Sequence, residues 1–116
     1  HSIECRINSE DPETFIPNAG NIKNYHAPGG FGVRIDSALY SGYKVPPNYD
    51  SLIAKLIVYG NNREEAILKL KIALKEYVID GINTTLSLHE KIISENEFIS
   101  GNYDIRWLEK FLKNND

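Results

Sequence analysis

Polar and apolar residues alternate in the first half of the chain, a pattern typical of β-strands with one buried face. Every second residue is apolar over residues 2–8, so Arg6 is predicted to point away from the core. Residues 33–36 alternate in the same way, while residues 52–59 are almost continuously apolar, as in a central strand covered on both faces. Gly and Pro residues between these segments favour turns. The first half is therefore predicted to form a mostly antiparallel sheet.

Apolar residues of the second half recur at spacings of three and four, the period of an α-helix. An Asn N-cap at position 61 or 62, followed by two glutamates, predicts where the first helix begins. Its apolar stripe, which should pack on the sheet, consists of Ala66, Ile67, Leu70, Ala73, Leu74, Tyr77 and Val78.

Further helices are expected after a short extended link at residues 78–81. The pattern predicts a second helix over residues 86–94 and a third over residues 105–112. The fold class is accordingly predicted to be α+β, with the sheet in the N-terminal half and about three helices in the C-terminal half.

Composition narrows the class of protein without naming a function. The 116 residues predict one domain, and the net charge of −3 is spread along the chain, which argues against nucleic acid or a membrane surface as partner. A single cysteine excludes an internal disulfide, and no apolar run is long enough to cross a bilayer, so we expect a cytoplasmic location. The chain opens on a predicted strand without Met, which suggests that residues 1–116 are one domain of a longer protein.

Local motifs give little evidence of catalysis by themselves. The three histidines and Cys5 lack the paired short spacings of a zinc site, so no metal site is predicted. The G-x-G at residues 30–32 leads into a predicted strand instead of a helix N-terminus, so it does not suit a phosphate-binding loop. Ser51 lacks the strained turn and the evident base of a hydrolase nucleophile.

Longer segments taken together are more informative. Three of them resemble the C-terminal domain of biotin carboxylases: residues 4–12 (ECRINSEDP), 26–34 (HAPGGFGVR) and 45–56 (VPPNYDSLIAKL). Shorter matches follow in the same order, at residues 59–60, 63–74, 80–84 and 105–110. The resemblance therefore covers nearly the whole chain.

The resemblance implies an ATP-dependent ligase. In that family ATP and bicarbonate form carboxyphosphate, and the resulting carbon dioxide is captured by a ureido nitrogen of biotin on a biotin carboxyl carrier protein, with Mg²⁺ assisting. The N-terminal and ATP-grasp domains that hold ATP and the metal would be partners outside these 116 residues. A carboxyltransferase then chooses the final acceptor, and acetyl-CoA carboxylase of fatty acid synthesis is the expected parent, with propionyl-CoA and pyruvate carboxylases left open.

The resemblance also implies roles for five residues. Arg6, in the E-C-R-I-N strand, matches the catalytic arginine beside the ureido oxygen of biotin, and Asp50 is a hypothetical carboxylate that holds this arginine in place. Asp50 could equally serve an Asx-type turn after two prolines. Phe31 and Arg34 match positions at the homodimer interface, although the sequence pattern alone would place Phe31 in the core. Ile105 matches a residue over the adenine of ATP, although helical periodicity alone would simply bury it.

Two other functions remain open from the sequence. The isolated domain could be a non-catalytic module for interaction and dimerisation, which ATP binding by the domain alone would contradict. It could also be the C-terminal domain of a different ATP-grasp ligase, such as a purine-pathway carboxylase that needs no biotin carrier. The E-C-R-I-N and G-G-F-G-V-R segments favour biotin carboxylase over this second alternative.

Overall fold

The structure is a computed structural model that describes residues 1–47, 51–101 and 107–114. Its strands are β1 (Ser2–Asn8), β2 (Gly20–Asn21), β3 (Asn24–His26), β4 (Val33–Ser37), β5 (Lys44–Val45), β6 (Leu52–Tyr59) and β7 (Val78–Asp80). Its helices are α1 (Arg63–Glu76), α2 (Leu86–Ile93), α3 (Asn96–Ser100) and α4 (Trp107–Asn114).

Every strand pair in the described part of the chain is antiparallel. β6 lies between β1 and β4 in a three-stranded sheet, while β2 pairs with β5 and β3 pairs with β7 in two small ribbons. Strands dominate the first half and helices the second. The predicted α+β class is thus confirmed, including the central position of residues 52–59.

The three-stranded sheet has two different faces because successive side chains of a strand point to opposite sides. The inner face carries Cys5, Ile7, Leu56 and Val58, all buried in the main core. The outer face carries polar and charged side chains together with half-buried ones of β6. The prediction that β6 is covered on both faces therefore holds fully only for the inner face.

Helix α1 covers the inner face. The Asn62 side chain accepts a hydrogen bond of 2.8 Å from the Glu65 backbone N–H, and the Glu65 carboxylate accepts one of 3.2 Å from the Asn61 N–H. This reciprocal cap fixes the start of the helix at the second of the two predicted asparagines. The predicted stripe is buried against β1 and β6, except for Val78, which begins β7.

The structure adds short elements to the predicted ones, beginning with β2, β3 and β5, which lie where only turns and loops were expected. The extended link at residues 78–81 contains β7, which pairs with β3 and closes a ribbon. The five-residue helix α3 was not predicted, because its single turn is too short to show a period. The third predicted helix corresponds to α4, described from Trp107 onward. None of the described helices has the length and apolar character needed to cross a bilayer.

Candidate functional site

Arg6 lies in the middle of β1 with its side chain on the outer face of the sheet. The strand register places it directly opposite Lys55 of β6, and Lys55 lies opposite Asp36 of β4. Arg6 is exposed, and its guanidinium forms no ion pair with any residue in the described part of the chain. These three residues form a row across the sheet, with two neighbouring cations and one carboxylate. Like charges opposite each other in a sheet repel.

The backbone of Arg6 is fixed from the other side by the start of α2. The Arg6 carbonyl accepts hydrogen bonds from the Thr85 hydroxyl at 3.4 Å and from His89 Nε2 at 2.8 Å. Thr85 also bonds Asn8 twice, because its Oγ1 accepts from the Asn8 N–H at 3.0 Å and its own N–H donates to the Asn8 carbonyl at 3.1 Å. Helix α2 thereby satisfies an edge of β1 that would otherwise be unpaired.

His89 serves this contact in its neutral form. Burial lowers the pKa of His89, and the hydrogen bond to the Arg6 carbonyl opposes that shift only in part. A carbonyl can only accept, so Nε2 carries the proton. The imidazole is therefore a donor to the strand, and burial favours its neutral form.

A second set of hydrogen bonds lies just beyond the end of β1. Glu10 accepts from Asn8 Nδ2 at 3.2 Å and from the Ser51 hydroxyl at 2.7 Å, and we call these three residues the Glu10 cluster. The Ser9 N–H donates to the Ser51 carbonyl at 2.8 Å. The cluster thus connects the end of β1 with the residue that precedes β6.

Phe31 and Arg34 lie at the β4 side of the sheet. Phe31 is 95% exposed, with Lys69 Nζ 5.7 Å from its ring centroid, a cation–π contact. Arg34 is exposed on the outer face and donates to Asp36 at 3.0 Å. Exposed aromatic and arginine side chains, here three positions apart in the sequence, are a composition found at protein interfaces.

Other groups in the described residues offer less chemistry. A groove of about 590 Å³ lies beside Ser9 and Ser51, with mainly apolar walls that include Leu39, Tyr43 and Pro46. Burial raises the pKa of the Cys5 thiol to about 12, so it stays protonated and unreactive. No set of three or more His, Cys, Asp or Glu residues among those described could hold a metal ion.

The comparison with known families agrees with this geometry. The family model described as "Biotin carboxylase C-terminal domain" matches residues 4–110. The chain belongs to this biotin carboxylase C-terminal domain family. A biotin carboxylase of Pseudomonas aeruginosa is 54% identical to the chain over 112 residues, which are 97% of this chain and 25% of that protein.

Solved structures show the same fold. A biotin carboxylase of Campylobacter jejuni matches with a TM-score of 0.90 and 46% identity, over 94% of this chain and 24% of that one. The biotin carboxylase domain dimer of Hydrogenobacter thermophilus 2-oxoglutarate carboxylase, solved with MgADP, ADP and bicarbonate, gives the same values. The chain thus spans about a quarter of the length of the relatives that it matches.

The structure bears on three of the five residues that the biotin carboxylase resemblance singled out. Arg6 and Arg34 share the outer face, and Phe31 is exposed, so the alternative that would bury Phe31 in the core is wrong. Asp50 and Ile105 lie outside the described residues, so their roles remain predictions.

Some residues of the candidate site were missed from the sequence. Thr85 and His89 contact Arg6 from about 80 positions away, and no local pattern indicates such a contact. Glu10 stood within a matched segment, but its two hydrogen-bond partners could be seen only in the fold. Lys55, the one charged residue of an apolar strand, was a candidate by its position in a matched segment, but no chemistry could be assigned to it from the sequence.

Proposed function

We propose that this chain is the C-terminal domain of an ATP-dependent biotin carboxylase, which carboxylates biotin on a biotin carboxyl carrier protein. The observation that carries the proposal is the exposed guanidinium of Arg6, held on a strand whose backbone is bonded on both sides. Family membership and 54% identity to a biotin carboxylase support it.

Arg6 is proposed to act at the ureido oxygen of biotin. Loss of the ureido proton places negative charge on that oxygen, and a permanently charged guanidinium stabilises charge where it develops. One such donor is typically worth about 3 kcal/mol, or roughly 10²-fold in rate. A rigid strand suits this role because a donor that is already in place needs no reorganisation during the reaction.

ATP, bicarbonate and Mg²⁺ are proposed to bind mainly to the N-terminal and ATP-grasp domains of a longer protein. The H. thermophilus relative was solved with MgADP and bicarbonate. The residues described here include no carboxylate cluster that fits Mg²⁺. When bound, the metal neutralises phosphate charge during phosphoryl transfer. From this domain, Ile105 would contribute an apolar contact to the adenine.

Phe31 and Arg34 are proposed to lie in a homodimer interface. An almost fully exposed phenylalanine loses apolar contact with water when a partner covers it, and Arg34 beside it can pair across the contact. The H. thermophilus relative was solved as a dimer, which supports dimerisation without identifying the residues in the contact.

The parent enzyme is proposed to be the cytoplasmic biotin carboxylase of an acetyl-CoA carboxylase in fatty acid synthesis. The carboxylated carrier would then pass to a carboxyltransferase. The identity to the P. aeruginosa biotin carboxylase supports the biotin carboxylase part of this proposal.

The test compares bicarbonate-dependent ATP cleavage, with and without free biotin, in a protein that joins this domain to its ATP-grasp domains. Replacing Arg6 by alanine should lower the ratio of biotin-stimulated to basal cleavage about 10²-fold. Lys75→Ala, at an exposed position of α1, is the matched loss of one positive charge. An unchanged ratio in Arg6→Ala would show that Arg6 is an ordinary surface residue.

A further inference from the structure

The strand that carries Arg6 ends in a β-bulge. Ile7 pairs with Ala54, but Asn8 pairs with Leu52, so β6 contains one extra residue, Ile53, at this point. A bulge bends the strand and changes the direction of nearby side chains, and bulges are common beside active sites. The direction of Arg6, two residues earlier, therefore depends on how the bulge is held.

The Glu10 cluster holds both sides of this bulge. One carboxylate oxygen of Glu10 bonds Asn8, the last residue of β1, and the other bonds Ser51, the residue before β6. Hydrogen bonds to an ionised carboxylate are stronger than neutral ones. A single side chain thus fixes the two strands relative to each other where their regular pairing is interrupted.

The Glu10 cluster leaves one buried polar atom of Asn8 without a hydrogen-bond partner among the described residues. Because a carboxylate only accepts, Glu10 orients the Asn8 amide with Nδ2 toward itself. Asn8 Oδ1 is then buried with no hydrogen-bond partner among the residues described. A buried acceptor without a protein partner requires an explanation, such as a strained or functional site or a bound water.

We infer that Glu10 is a positioning residue, which sets the direction of Arg6 toward biotin through the bulge at Asn8. This inference rests on the function proposed above for Arg6.

The test uses the same multidomain protein with Glu10→Gln. Glutamine keeps the shape of the side chain but replaces one accepting oxygen with a donor, so one of the two hydrogen bonds must be lost or rearranged. The ratio of biotin-stimulated to basal ATP cleavage should fall by about tenfold, since small misplacement of a catalytic group costs up to about 10²-fold. Glu13→Gln is the matched control, because Glu13 is an exposed carboxylate of the same loop.

A double-variant comparison separates positioning from a loss of folded protein. If Glu10 acts through Arg6, Glu10→Gln should lower the ratio in the native background and leave it unchanged in the Arg6→Ala background. An equal loss in both backgrounds, or no loss in the native one, would overturn the inference. If Arg6→Ala alone keeps the native ratio, the role proposed for Arg6 fails and the positioning role fails with it. If Arg6→Ala lowers the ratio but Glu10→Gln leaves it at the native value, only the positioning role is refuted.

Discussion

The two faces of the three-stranded sheet are formed by the same strands, but their side chains differ in polarity and in burial. The inner face consists of apolar side chains such as Cys5, Leu56 and Val58, all 5% exposed or less. The outer face presents Arg6 and Lys55 side by side. Apolar burial stabilises the fold in proportion to area, whereas like charges opposite each other destabilise it. One face therefore maintains the fold, and the other keeps charges that folding alone does not require.

The largest expected effect is on the inner face. Leu56→Ala should lower the free energy of unfolding by about 2–5 kcal/mol, because it leaves a cavity between β6 and the residues around it. Urea denaturation of the chain measures this change. Arg6→Ala, at the facing strand but on the outer side, should change the same quantity by less than about 0.5 kcal/mol. Similar losses of unfolding free energy in the two variants would show that the outer face contributes to stability as much as the inner face does.

An intermediate effect is expected at the edge of β1. Thr85→Val removes the hydroxyl and leaves the Asn8 N–H unsatisfied, so the free energy of unfolding should fall by about 1–3 kcal/mol. Hydrogen exchange at the Asn8 amide should also accelerate. Ser87→Ala, at an exposed position of α2, is the control. Slow exchange that persists in Thr85→Val would show that α2 does not protect this edge.

The smallest expected effect is the pH dependence due to His89. Burial holds its pKa below the ordinary value of about 6.5. The unfolded chain therefore takes up the proton first, and stability from this group, complete above pH 6.5, falls as the pH drops toward the lowered folded value. His89→Gln keeps an N–H donor for the Arg6 carbonyl without titrating, so its stability should decline less over that range. The measurement is the free energy of unfolding as a function of pH, with His26→Gln, at an exposed position, as the control. If the native chain and His89→Gln lose stability in parallel as the pH falls, the decline is due to other groups.

Much of the fold could be predicted from local patterns. The alternation at residues 2–8 placed Arg6 on the polar face correctly, and the Asn–Glu pair placed the start of α1 within one residue. These features depend on neighbours in sequence, where strand and helix periods act directly. The family resemblance then added a role for Arg6 that charge and burial alone could not supply.

The contacts that hold the candidate site could not be predicted, because they join distant parts of the chain. Nothing near Thr85 indicates that its hydroxyl bonds to β1, and the bulge at Asn8 arises from a register that two strands set together. Hydrophobicity alone would place Phe31 in the core, whereas the family resemblance placed it at an interface; its exposure depends on where the loop before β4 lies in three dimensions.

The attachment of α2 to β1 also constrains the order of folding. β1 pairs with β6 about 50 residues later, and among the described residues Thr85 and His89 bond to its other edge from about 80 positions away. β1 therefore gains these partners only after most of residues 1–116 has been synthesised. Contacts of such large sequence separation slow folding, and an unpaired edge is open to aggregation in the meantime. Within this domain, the strand that carries the proposed catalytic arginine therefore precedes the segments that bond to it by about 50 to 80 positions.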